Sequence, residues 1–241
     1  MAETIPNIVA PDDPDLESGI VQYGANCKGY LSRPKGGNNL GSVIVIHENR
    51  GMVDHLTDVA RHFAKDGFAA LSVDLLQRSG GTEKFPVPED GIAAIGKLAP
   101  EGCLEDLTSA LNYLKSQNFV NGKVGVVGYC WGGGQSLNFA TKCQDLNAAV
   151  VYYGRNPNPL EQVANINCPV MGNYGEEDAN IMPGVEPLRE AMQKAGKSID
   201  IKVFPGAKHA FNNNNNADRY HPEAAKEAWQ RTVNFFKSNL G

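Results

Sequence analysis

Apolar and polar positions along the 241-residue chain follow two alternating rhythms. The first is a short apolar run rich in β-branched residues: SVIVIHE (42–48), FAALSVDLL (68–76), KVGVVGYC (123–130), AAVVYYG (148–154), CPVMGNYG (168–175) and IDIKVFPG (199–206). Runs of this length between turn residues predict strands buried on both faces. The second rhythm is helical. Leu56, Val59, Ala60, Phe63 and Ala64 share one helix face that Gly67 stops, and Leu104, Leu107, Leu111 and Leu114 mark another. A helix containing Leu188 and Met192 precedes the last strand. The closing helix carries Ala225, Ala228, Trp229, Thr232 and Phe236 on one side, with Pro222 near its start. Strands separated by helices need crossover connections. The pattern therefore predicts an α/β fold, a mostly parallel central sheet with helices on both faces, and a ligand crevice outside the carboxyl ends of the strands.

The remaining segments lack either rhythm. Residues 1–19 read as a polar N-terminal arm, and residues 20–241 as one domain with no repeat or composition break. The segment 77–91 is dense in turn formers and predicts a long surface loop; the asparagine run 212–216 predicts an exposed one.

Composition narrows the partners. Net charge is −5 with no basic run, which argues against nucleic acid and anionic membrane as partners. No apolar stretch approaches the ~20 residues of a membrane span. The first residues lack the basic and apolar regions of a signal peptide, so a cytoplasmic location is expected; a periplasmic one would require a leader already removed. Cys27, Cys103, Cys130, Cys143 and Cys168 are odd in number and form no C-x-x-C pair, which fits a reducing compartment.

One of these cysteines sits in unusual company. VGVVGYCWGGG (124–134) is an apolar strand, a tight turn and small residues opening a helix. It matches the nucleophile elbow G-x-S-x-G with Cys130 in place of serine. Gly128 and Gly132, two positions either side, must be small because strand and helix backbones pass close together there. The turn would project the thiol and leave the Trp131 N–H, at a helix N-terminus, free to donate to an oxyanion. A buried structural cysteine at a glycine-rich turn is the plainer reading.

An elbow nucleophile needs a base and an orienting acid, which follow it along the chain in the order acid, histidine. Only His209 and His221 come after Cys130. His209, in FPGAKHAF, follows a predicted strand at the carboxyl edge, whereas His221 reads as a solvated residue before the last helix. YGEEDANIMP offers Glu176, Glu177 and Asp178 as the acid, and spacing does not choose among them. The second oxyanion donor belongs in HENRG (47–51), where Asn49 and Gly51 could equally form an N-cap and turn.

Together, IHENRG, VDLLQR, GYCWGGG, YGEEDANIMP and PGAKHAF resemble the dienelactone hydrolase family of carboxymethylenebutenolidase-like proteins, which has the α/β-hydrolase fold. The resemblance implies a Cys130–His209–Asp178 triad and an oxyanion hole made by the Asn49 and Trp131 N–H groups. It further implies that Glu48 holds the resting thiol and that Arg78 pairs with the substrate carboxylate. One departure stands out. Family members acting on dienelactone carry a serine directly after the histidine and an arginine four positions after it; here these are Ala210 and Asn213.

The expected activity is hydrolysis of a small ester or lactone through a thioester, by a monomer or weak homodimer without cofactor or metal. Alternatives remain on the same residues. They are a promiscuous carboxylesterase, a non-catalytic receptor that keeps the pocket, a thiol redox enzyme with Cys143 resolving Cys130, and a metal site of Cys130, His209 and Asp178.

Overall fold

The computed structural model describes residues 8–241. Along the chain come strands β1 (Leu16–Tyr23), β2 (Cys27–Pro34) and β3 (Leu40–Ile46), helix α1 (Asp54–Lys65) and strand β4 (Ala69–Val73). Helices α2 (Pro88–Ile95) and α3 (Pro100–Lys115), strand β5 (Val120–Tyr129), helix α4 (Trp131–Lys142), and strands β6 (Ala148–Tyr152) and β7 (Val170–Gly175) follow. Helix α5 (Met182–Lys194), strand β8 (Ile199–Phe204) and helix α6 (Pro222–Leu240) complete the chain.

The strands form one sheet in the order β1-β2-β4-β3-β5-β6-β7-β8. From β4 onward every neighbouring pair is parallel, while β1 and β2 add an antiparallel edge. Alternation along each strand feeds two cores. Ile44 and Ile46 of β3 and Val124 and Val126 of β5 face α3, α4 and α5; Val43, Val45, Val127 and Tyr129 face α1 and α6. Both faces are thus closed by helices, and only the strand ends are left for a ligand. Among the described residues no helix is long and apolar enough to cross a membrane.

Four expectations change. Residues 16–19 are not part of an arm but open β1, and the hairpin it forms with β2 has no apolar run because an antiparallel edge keeps polar residues on its open face. Residues 1–7 of the expected arm lie outside the described residues. The segment 77–91 is not one loop: it folds into two 3₁₀ turns, Gln77–Ser79 and Thr82–Lys84, and the start of α2, whose Pro88 begins a helix rather than a turn. The asparagine run is mostly half-buried, and Asn213 reaches inward. His221 is half-buried as well; it caps α6, its Nδ1 accepting from the Ala224 N–H at 3.3 Å.

Candidate active site

Four loops leave the carboxyl ends of parallel strands on the same edge of the sheet. Asn49 follows β3, Cys130 follows β5, Asp178 follows β7 and His209 follows β8. Cys130 is the hinge between β5 and α4, with φ 56° and ψ −116°. An L-residue held at positive φ outside the usual wells is strained, and the surrounding backbone must enforce it. Glycines permit that enforcement. A Cβ on Gly128 would lie 1.8 Å from the Gly132 carbonyl oxygen, and one on Gly132 would lie 2.4 Å from the His47 carbonyl oxygen. The start of α4 is therefore pressed against both its own strand and the end of β3, which brings Trp131 beside the loop carrying Asn49.

The half-buried sulfur of Cys130 meets His209. Nε2 of the ring lies 3.1 Å from Sγ, and Nδ1 lies 2.5 Å from Asp178 Oδ2. Burial of the ring opposes its protonation, but the bonds to Asp178 and Cys130, with their charges, outweigh it and lift His209 to about 9. At neutral pH the imidazolium donates from both nitrogens, one to the carboxylate and one to the sulfur. Of the three candidate acids only Asp178 is buried against the histidine. Glu176 instead accepts from the Gly206 N–H at 3.0 Å, and Glu177 is exposed at the cleft rim.

Two cavities of about 700 and 670 Å³ adjoin at this point. Cys130, His209, Asn49 and Arg219 line both. Trp131, Tyr153 and Arg155 belong to the first, and Glu48, Arg50, His55 and Asn213 to the second. Among the described residues, the Asn49 and Trp131 N–H groups donate to no acceptor.

Two expected contacts are not made. Glu48 does not hold the thiol: its Oε2 accepts from Asn213 Nδ2 at 2.8 Å, Oε1 has no partner, and burial pushes its carboxyl up. Asn213, which stands where the resemblance would put an arginine, donates to that carboxylate instead. Arg78 does not reach the cleft. It is a half-exposed residue whose Nε and Nη2 donate to Asp106 and Glu105, at 2.8–3.1 Å. The carboxylates of α3 claim it, and nothing in VDLLQR announced them.

The alternative chemistries can be measured against the same geometry. Cys130 and Asp178 engage opposite nitrogens of His209, so the three do not converge on one ion. Cys130 and Cys143 cap opposite ends of the twelve-residue helix α4, which at ~1.5 Å per residue keeps them roughly 20 Å apart, too far for a disulfide.

Sequence reasoning passed over several groups here. Tyr153 is fully buried with φ 39°, its ring 5.1 Å from that of His209. His55, which burial lowers to about 4, lines the second cavity. A positive φ at a tyrosine leaves no mark in the letters YYG.

Comparison with known proteins places this geometry. The sequence model described as "Dienelactone hydrolase family" matches residues 27–240. A protein of Saccharolobus solfataricus named "Putative carboxymethylenebutenolidase" is 31% identical over 249 residues, which span 89% of this chain and 95% of that one. The crystal structure of a "Putative Dienelactone Hydrolase" from Klebsiella pneumoniae superposes with a TM-score of 0.85 at 30% identity, covering 92% of this chain and 98% of that one. A dienelactone hydrolase from Anabaena variabilis, 20% identical with a TM-score of 0.68, shares the fold.

Proposed function

Because this chain belongs to the dienelactone hydrolase family and is a hydrolase of ester or lactone bonds, we propose that it works through a Cys130 nucleophile, with His209 as its acid and base and Asp178 orienting the ring. The thiolate attacks the substrate carbonyl carbon. The carbon–oxygen π electrons move onto the oxygen, which the N–H groups of Asn49 and Trp131 hold; removing one such donor typically costs ~2.7–4 kcal/mol of transition-state stabilisation. As the tetrahedral species collapses, the bond to the leaving oxygen breaks and His209 Nε2 passes its proton to it. The acyl group is left as a thioester on Sγ. His209, now neutral, takes a proton from water; hydroxide adds to the thioester, the carbon–sulfur bond breaks, and acid and thiolate part.

The observation that carries this reading is the run Cys130 Sγ–His209–Asp178, 3.1 and 2.5 Å, at a strained turn open to two cavities. Two lobes flanking one sulfur suit a small ester whose acyl and alcohol halves lie on either side of it. Dienelactone itself fits less well, because Asn213 stands where its hydrolases carry arginine and Arg78 is paired elsewhere. Arg219, which lines both cavities and has no carboxylate partner among the described residues, is better placed for a substrate carboxylate.

Cys130→Ala should reduce p-nitrophenyl acetate hydrolysis to the uncatalysed rate, and mass spectrometry of quenched wild-type enzyme should find an acetyl group on Cys130. Turnover by C130A near wild type would end the proposal.

A further inference from the structure

Behind the cleft, and lining neither cavity, lies His47, fully buried one residue beyond the end of β3. The Leu75 backbone N–H, which can only donate, gives its hydrogen to His47 Nε2 at 3.2 Å. That bond assigns the tautomer: Nε2 carries the lone pair and Nδ1 the proton. Nδ1–H then donates to the Glu48 carbonyl oxygen at 2.7 Å. Burial disfavours the charged ring and holds His47 below the ordinary histidine value, so it stays neutral.

The Glu48 carbonyl and the Asn49 N–H belong to one planar trans peptide and point in opposite directions. A hydrogen bond that anchors the oxygen therefore aims the N–H away from His47, and it polarises the peptide so that the N–H becomes a stronger donor. The same ring stacks on Trp131, centroids 5.4 Å apart and planes within 16°. Trp131 is the residue whose own N–H supplies the other half of the proposed oxyanion hole. One neutral imidazole thus bonds the peptide group that carries one donor and stacks on the residue that carries the other, while lining neither cavity.

We propose that His47 is a positioning residue for the oxyanion hole, fixing the Asn49 donor through the Glu48 carbonyl and bracing Trp131 by stacking. The proposal rests on the Cys130 mechanism above. It concerns a step that stabilises charge on the substrate oxygen, not one that activates the sulfur, and this separates it from a general structural role.

Two substitutions divide the ring's functions. An asparagine at 47 carries its amide nitrogen near the place of Nδ1, and a glutamine reaches nearer the place of Nε2. H47N therefore keeps the donation to the Glu48 carbonyl, whereas H47Q keeps the contact with Leu75 and more of the buried volume but leaves that carbonyl without its donor. The assays are kcat and KM for p-nitrophenyl acetate and the rate of Cys130 alkylation by iodoacetamide, a reaction that forms no oxyanion.

H47Q is expected to lose about 30–100-fold in kcat with KM and alkylation unchanged, a loss on the scale of one weakened oxyanion donor, and H47N to stay within about fivefold of wild type. A packing role predicts the reverse order, so H47Q matching or exceeding H47N overturns the proposal, as does an equal fall in kcat and alkylation. If either variant fails to fold, the wild-type protein still decides. The ¹⁵N shifts of His47 should report the neutral Nδ1–H tautomer from about pH 5 to about pH 9; an Nε2–H tautomer or an imidazolium overturns it. C130A in the same assay tells the two failures apart. Activity there defeats the nucleophile, while a dead C130A beside unchanged His47 variants defeats only the positioning role.

Discussion

A thiol, a carboxylate and a cation come together around Cys130 and again around Cys27, and of these two groups only the first faces a cleft. Around Cys130 the cation is His209, inserted between sulfur and Asp178 so that each contact uses a different nitrogen. Around Cys27 the order differs. The buried thiol donates directly to Asp106 Oδ1 at 3.4 Å, and Arg78 grips the same carboxylate. Burial first, then the charge and hydrogen bond of Asp106, push Cys27 up to about 11. An imidazole between acid and sulfur can take the proton and return it; a guanidinium beside the acid cannot, because it never gives one up. The difference teaches that proximity of thiol, acid and cation does not make a nucleophile. On the proposed mechanism, what sets Cys130 apart is the titratable ring in the middle and the turn that exposes the sulfur.

The sharpest way to break this comparison is to alter the two carboxylates alike. Asp178→Asn should lower kcat by about 10⁴-fold, since the amide no longer holds the ring in the tautomer that faces sulfur. Asp106→Asn should leave kcat of the folded protein within about twofold and cost about 1–2 kcal/mol of stability, the half-exposed Arg78 limiting the loss. Steady-state kinetics and denaturant titration of both variants check this. Equal kinetic losses would erase the distinction.

A smaller effect separates the arginines. For an ester bearing a carboxylate, Arg219→Ala should raise KM by about tenfold or more, the scale of one charge-assisted contact, while Arg78→Ala should not. An uncharged ester of the same size serves as control. A KM rise confined to R78A would restore the role its family resemblance implied.

The smallest effects are in stability against pH, and they fall in separate windows. His209 is raised from 6.5 to about 9 in the folded state, so its contribution is full below 6.5 and is lost as pH rises through 9. Cys27 is raised from 9.0 to about 11; its contribution is full below 9 and is lost as pH rises through 11. Thermal melts from about pH 6 to about pH 11 should show the first decline vanish in His209→Gln and the second vanish in Cys27→Ala. Both declines persisting in both variants would sever them from these groups.

The central strands were legible because being buried on both faces writes an unbroken apolar run, as in Val43–Ile46 and Val124–Val127. The hairpin of β1 and β2 was not, since LESGIVQY mixes polar and apolar residues at an edge. The elbow was legible for a different reason. Its glycines are demanded by backbone contacts, since a Cβ on Gly128 would fall 1.8 Å from the Gly132 carbonyl oxygen, and such demands leave little choice of residue. Choosing Asp178 from three adjacent acids needed more than spacing, because all three follow the same strand and only the fold turns one of them toward the histidine.

The amino-acid order by itself determined the layered α/β architecture, the cysteine elbow and the sequence of acid and histidine behind it. These are consequences of local periodicity and local sterics, which short stretches of chain carry within themselves. Tertiary structure alone decided that Glu48 turns to Asn213, that Arg78 is held by Asp106, and that His47 lies between the Glu48 carbonyl and Trp131. Each of these depends on a direction in space. Side-chain partners are set by which loops the sheet brings to one edge, and residues as far apart as 48 and 213 share a hydrogen bond only once it has done so.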